Sequence, residues 1–380
     1  MGLLNQDRNS SSHQVKEESK ELLSQMECHA LRGLAILGIF LHNYCHWLPG
    51  IVRENEYQFF QGNVDAFNHA LLSPDEKLPM HFLSFFGHYG VPVFLFLSAY
   101  GLVMKYERKT PNRPSPHIPR VSFIRYHFLK LFRMMIAGFA AFIIVDQITP
   151  APFHYQVVDI IGQLGLFNNL FPHPDKVIWP GPYWFFGMLF QLYVLYRLLI
   201  YKRSDSWTSI LMVICILGQF LFDPEGGALN WYRYNFMGSM LPFCGGILFA
   251  RNQEAIMNWR KRIGPCQFDW SALILYFVFI YVFSLNFFTW AFVPVFICTF
   301  CIALVKTLRY CHLNSINRIL VELGQISAAL FVCHPITRKI FIPISRDGAL
   351  YTGLLLYIIA SICLAWIWRQ MMKKVPKPVM

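Results

Sequence analysis

An arginine and two histidines share one apolar stretch near the start of the chain. It reads Leu31-Arg32-Gly33-Leu34-Ala35-Ile36-Leu37-Gly38-Ile39-Phe40-Leu41-His42-Asn43-Tyr44-Cys45-His46-Trp47-Leu48. At about 1.5 Å rise per residue, a helix carries His42 roughly 15 Å above Arg32 and His46 roughly 21 Å above it. At about 100° per residue, Asn43 falls within roughly 20° of the arginine's face, His46 within about 40° and His42 within about 80°. One side of such a helix bears a cation at its base and polar, proton-handling groups above. Histidine titrates near neutrality and can take the proton from an incoming hydroxyl as a general base. Arginine can hold a phosphorylated donor in forked hydrogen bonds. The structural alternatives are a guanidinium that snorkels to an interface and imidazoles that hydrogen-bond between helices.

What must position these groups follows from composition. The 380 residues are 55% hydrophobic, 17% aromatic and only 14% charged, against about 25% charged in a soluble domain. Apolar stretches of about 18 or more residues recur along the chain, the mark of membrane-spanning helices. Such helices satisfy their own backbone hydrogen bonds in lipid. The expected fold is therefore an all-α, polytopic transmembrane bundle of about ten spans: 30–48, 82–104, 131–148, 183–201, 208–222, 236–250, 270–284, 288–306, 319–341 and 349–370. Residues 157–171 are apolar but short and interrupted, and suit an interfacial or re-entrant helix better than a further span.

Charge sets the expected orientation. The net charge of +12 is spread over many short loops, with no aromatic-rich RNA or DNA motif beside it, which argues against a nucleic-acid partner. With the N-terminus inside, roughly 26 of the 33 basic residues collect on the cytoplasmic side, as the positive-inside tendency requires. Both termini are then cytoplasmic, and membrane lipids are the immediate surroundings. The division expected is a polar tail over 1–27 with no cleavable signal, a membrane domain over 28–371 and a basic tail over 372–380. Thr110–Arg120 is a Pro-rich connector. The ten cysteines suggest no disulfide framework, and Cys298 and Cys301 form a CxxC inside an apolar run with no second pair at ligand spacing. They are expected to pack, and no metal is expected.

Several segments taken in order resemble the membrane-bound acyltransferase 3 family, bacterial enzymes that O-acylate surface and exported glycans. Leu31-Arg32-Gly33-Leu34-Ala35-Ile36 is similar to that family's opening motif. Gly90-Val91-Pro92-Val93-Phe94-Leu95-Phe96-Leu97-Ser98-Ala99-Tyr100 resembles its second-span segment, and a basic stretch from Phe123 to Arg133 follows. Tyr183-Trp184-Phe185-Phe186 resembles its Trp-Phe-Leu, with Gln191 and Tyr193 one and two turns on. Phe243-Cys244-Gly245-Gly246 and the tail Leu323-Gly324-Gln325-Ile326-Ser327 to Phe331-Val332-Cys333-His334-Pro335 complete the series. The resemblance covers roughly residues 28–370. Two positions depart from the family. Its first-helix histidine usually stands eleven residues after the arginine, where this chain has Asn43. Its frequent acidic residue after Trp-Phe-Leu is missing, and Gln191 is the nearest polar group.

The resemblance implies transfer of an acyl group, acetyl in the first instance, from acetyl-CoA or another acyl-CoA to a sugar hydroxyl of a glycan or lipid-linked glycan. The setting it implies is a bacterial inner membrane. His42 is the expected base, with His46 second, and Arg32 the donor's anchor. Arg125, Lys130 and Arg133 either bind the donor's phosphates or anchor the third span. Asn43, His88, Gln191, Tyr193 and His334 are candidates to surround the acceptor, His334 either orienting it or bonding another helix. Trp47, Trp179, Trp184 and Trp231 can stack on sugars or form an aromatic belt. The rival function is export of a glycan or its lipid-linked precursor. Transporters of that kind often carry inverted repeats and paired broken helices, and neither is visible.

Overall fold

The computed structural model describes residues 21–108 and 118–379. Most of the expected N-terminal tail and of the Pro-rich connector lies outside the described residues. Every regular element among the described residues is helical. The principal helices are α1 (Gln25–Cys45), α2 (Gly90–Tyr106), α3 (Arg120–Ile148), α4 (Trp184–Leu195), α5 (Asp205–Gln219), α6 (Phe236–Arg251), α7 (Pro265–Phe283), α8 (Val293–Tyr310), α9 (Asn314–Arg346) and α10 (Leu350–Lys374). Each expected span coincides with one of these ten.

Seven helical segments of the described chain are long and apolar enough to cross a membrane. They are Leu78–Tyr106, Arg120–Ile148, Gly181–Ile200, Pro265–Phe283, Val293–Tyr310, Asn314–Arg346 and Leu350–Lys374. Helices α5 and α6 are apolar but shorter. Residues 157–171 hold a helix of only eight residues, Val157–Leu164, and a 3-10 turn over Asn168–Leu170.

Helix α1 differs from its neighbours because it is polar yet interior. Ala30, Leu31, Ile36, Phe40 and Tyr44 are buried. Its start is fixed by a capping box. The Ser24 hydroxyl accepts from the Glu27 amide, and the Glu27 carboxylate accepts from the Ser24 amide at 2.9 Å, satisfying two orphan donors of the first turn. Alongside it runs α9, and the two backbones touch. A Cβ on Gly33 would overlap the Leu320 carbonyl, and one on Gly324 would overlap the His29 carbonyl. Small residues at such crossings let helices approach where the lipid supplies no hydrophobic drive.

Lipid-compatible surface lies elsewhere. Ile274, Leu275, Phe277 and Val278 of α7, and Leu355, Ile359, Trp366 and Ile367 of α10, are exposed. The described chain ends meet at one end of the bundle. Lys306, near the end of α8, donates to the Leu22 carbonyl at 2.8 Å, and Arg133 donates to the carbonyls of Met372 and Val375 at 2.5 and 2.6 Å. The short elements gather at the opposite end, where Phe59 meets Phe287 and Trp231 bonds the Leu170 carbonyl. Packing begins at Leu22 and Leu23, both buried, ahead of α1.

Candidate active site: two cavities on one helix

The C-terminal half of α1 faces a cavity of about 180 Å³ whose wall includes His42, Asn43, His46 and Trp47. Leu78–Phe86, the helix ahead of α2, supplies what orients the first histidine. Gly38 and Gly87 meet so closely that a Cβ on Gly87 would stand 2.7 Å from the His42 Cβ. That contact brings the Ser84 carbonyl within 2.8 Å of His42 Nδ1. A carbonyl only accepts, so Nδ1 carries the proton and the lone pair falls on Nε2. The Ser84 hydroxyl in turn donates to the Val52 carbonyl. When neutral, His42 is thus held in one tautomer with Nε2 as the acceptor, which is what a general base requires.

Two further imidazoles crowd it. His46 and His88 lie with ring centroids 5.1 and 5.4 Å from that of His42. His88 Nδ1 is 3.4 Å from a Glu56 carboxylate oxygen. Opposite them Arg338 of α9 reaches the cavity wall, 5% exposed and without a carboxylate partner among the described residues. Its guanidinium stands 5.2 Å from the Trp47 ring centre and 3.4 Å from the carbonyl and side-chain oxygens of Asn43. Trp47 and Trp179 meet edge to face at 6.1 Å, and Tyr57 stacks on Tyr234 at 3.9 Å, closing an aromatic rim with Trp184. Asn55, Glu56 and Asp175 add polar groups to the same wall. Just behind it Glu54, in the loop after α1, is 2% exposed and leaves one carboxylate oxygen unpartnered. Burial pushes its carboxyl up to about 8, so the group is largely protonated at pH 7.

The N-terminal half of α1 faces a second cavity, of about 400 Å³. Arg32, Lys105, Lys130 and His127 line it, with Ser98, Tyr126, Tyr193 and Ser327. No hydrogen bond or ion pair with a described residue engages Arg32. Lys105 lies over the rings of Tyr106 and Tyr126 at 4.8 and 5.0 Å. Other cations at this end of the bundle are paired: Lys306 with Glu27 at 3.1 Å, Arg251 with Glu107 at 2.8 Å, Arg260 with Asp269 at 2.6 Å. Arg32 is half-buried and Lys105 and Lys130 are exposed, and the three cations line one cavity whose described wall residues include no carboxylate, an arrangement that can receive an anion. Among the described residues no group of three His, Cys, Asp or Glu is disposed to hold a metal ion.

A family model described as an acyltransferase domain matches residues 28–369. The chain belongs to the acyltransferase 3 family. No curated protein and no solved structure matches it. As a member of that family it is a multi-pass membrane acyltransferase, and acyl donor and acceptor are its two substrates.

The residues singled out from the sequence of this acyltransferase divide by position. His42, Asn43, His46 and His88 line the first cavity, and Arg32, Lys130 and Tyr193 the second. Arg125 lines neither, and Arg133 donates to backbone carbonyls at the C-terminal end of α10. Gln191 bonds Asn235 at 2.8 Å and accepts from the Phe236 amide at 3.0 Å, capping the start of α6. His334 is fully buried on α9, its Nδ1 donating to the Leu330 carbonyl of its own helix at 3.1 Å, and stays off both walls. Cys298 and Cys301 are buried, free thiols. Glu56, Tyr57, Asp175, Arg338, Lys105 and His127 were not anticipated as site residues. Only Arg338 carried a signal, an arginine one helical turn after His334 at the end of an apolar run.

Proposed function

We propose that this acyltransferase moves a short acyl group, acetyl in the first instance, from acyl-CoA to a sugar hydroxyl of a surface or exported glycan. The observation that carries the reading is a single helix presenting a tautomer-fixed histidine to one polar cavity and an unpaired arginine to another. The coenzyme's phosphates would rest on Arg32, Lys105 and Lys130, with the thioester directed along α1 towards His42. The acceptor would enter from the other end against Trp47, Trp179 and Tyr57, rings suited to a sugar face. Asp175, Asn55 and Glu56 are placed to accept from its hydroxyls.

In the reaction, His42 Nε2 takes the proton of the attacking hydroxyl as its oxygen bonds the thioester carbonyl carbon. The negative charge that develops on the carbonyl oxygen is stabilised by the Arg338 guanidinium, whose lack of a carboxylate partner leaves it free for this. The carbon–sulfur bond then breaks, and the imidazolium returns its proton to the departing thiolate. His88, 3.4 Å from a Glu56 carboxylate oxygen, packs beside the imidazole in the cluster. Residues of the Arg32 end face the cytoplasm in this reading, and the membrane is the bacterial plasma membrane.

The test is transfer of labelled acetyl from acetyl-CoA to a panel of methyl glycosides by the purified chain in lipid. His42→Ala and His46→Ala are made separately. Loss in the first variant is expected, with a smaller effect in the second. Undiminished transfer in both variants removes His42 from the chemistry.

A further inference from the structure

The two cavities have two wall residues in common, Phe185 and Phe331. Their ring centroids are 5.2 Å apart, and the side chains are 7% and 6% exposed. Four helices confirm that the pair lies between the cavities. Along α1 the wall passes from Arg32 to Ile39 and His42; along α2, from Ser98 and Phe94 to Val91. Along α4 it passes from Tyr193 and Leu189 through Phe185 to Trp184, and along α9 from Ser327 through Phe331 to Arg338. The order is the same each time, basic cavity first and imidazole cavity last. Both rings are backed by others. Phe94 meets Phe185 at 6.4 Å from the basic side, and Phe186 and His334 meet Phe331 at 5.7 and 5.9 Å.

We propose that Phe185 and Phe331 form an acyl-selecting gate: the acyl end of the thioester reaches His42 between the two rings, and their backing restricts passage to short chains. This rests on the acyl-transfer reading above. A thioester held by its phosphates in the basic cavity has no other wall in common with the cavity where the base stands. Flat rings can turn to admit a methyl or ethyl group, but close-packed neighbours resist each added methylene. The space beyond is small as well. At about 180 Å³ the imidazole cavity falls below the roughly 300–1,000 Å³ usual for ligand sites, so a sugar and a long alkyl chain cannot share it. The basic cavity, about 400 Å³, lies within that range.

The experiment compares acetyl-, butyryl- and hexanoyl-CoA as donors to the methyl glycoside panel, using the full chain in lipid. Phe185→Leu and Phe331→Leu are each expected to shrink the wild-type preference for acetyl over hexanoyl by roughly tenfold, the lower end of the discrimination an apolar pocket draws from one methylene. Phe331→Trp should lower the rate with all three donors. The gate is overturned if wild type transfers acetyl while both leucine variants, folded by thermal midpoint, keep the wild-type donor ratio. A wild-type chain inert with every donor overturns the acyl-transfer reading itself, and the gate with it. Should one leucine variant not fold, the other reads the same ratio from the opposite ring.

Discussion

The two cavities on α1 are built by opposite means. Around His42 short helices and loops join four long helices in the wall, and several polar groups have a close polar neighbour: Nδ1 meets the Ser84 carbonyl, His88 lies near Glu56 and Arg338 near Asn43. Around Arg32 the walls are long regular helices, and the cations face the space with no carboxylate to meet. A base must have its lone pair aimed, and here a carbonyl of the short helix Leu78–Phe86 does so. An anion receptor needs uncompensated charge, which regular helices supply by leaving acidic residues out of the wall.

Substitutions that separate the two regions should separate kinetic constants. Replacing His42 with Ala should lower kcat about 10²- to 10⁴-fold, the range of general acid–base catalysis, while leaving the donor KM nearly unchanged. Steady-state acetyl transfer against acetyl-CoA concentration reads both. An unchanged kcat with a raised donor KM would exchange the roles of the two cavities. The next effect belongs to Arg32→Ala and to the double change Lys105→Ala with Lys130→Ala. Arg32→Ala should raise the donor KM at least about tenfold, the loss of one charge-assisted bond of roughly 1.5–3 kcal/mol, and the double lysine change should raise it further, each with a smaller change in kcat. The contrast predicts that high salt weakens donor binding in wild type more than in Arg32→Ala.

A separate effect concerns stability, and it comes from Glu54 behind the His42 wall. Its folded carboxyl is pushed up to about 8 by burial, whereas in the unfolded chain it ionises near about 4.3. Between those values the folded protein holds a proton that the unfolded chain has lost. Stability therefore falls as pH rises through that window and levels off above about 8. Glu54→Gln should flatten this part of the profile, so that its thermal midpoint exceeds wild type at pH 8 by more than at pH 5. Parallel profiles would mean that the carboxyl is ionised in the fold and the wall is not neutral there.

Much of the fold could be read from the sequence because lipid leaves few alternatives. Apolar runs long enough to span become helices, and all ten expected segments coincide with helices. The spacing of Arg32 and His42 placed them at different depths of one helix, and the two cavities follow that division. The partners of these residues were not legible. Glu56 lies in irregular chain and Asp175 in a four-residue helical turn, Pro174–Val177, both too short to show a period, and nothing in their spacing says which helix end they meet. Arg133 was conspicuous as a cation beside the third span, but its bonds to Met372 and Val375 depend on where α10 stops. Gln191 marked the right helix, and its side chain serves the start of α6. The shared Phe185 and Phe331 were hidden for a simpler reason: one apolar residue among many carries no mark of what lies on either side of it.

The most direct test of two substrates meeting from opposite ends is sidedness in sealed liposomes. Orientation can be scored by maleimide labelling of the exposed Cys311, which follows α8 at the Arg32 end. Acetyl-CoA is supplied on one side and a methyl glycoside on the other. Acetylated glycoside should form only when the donor is on the Arg32 side and the acceptor on the Trp47 side. Transfer that requires both substrates on the same side would contradict a reaction carried along α1.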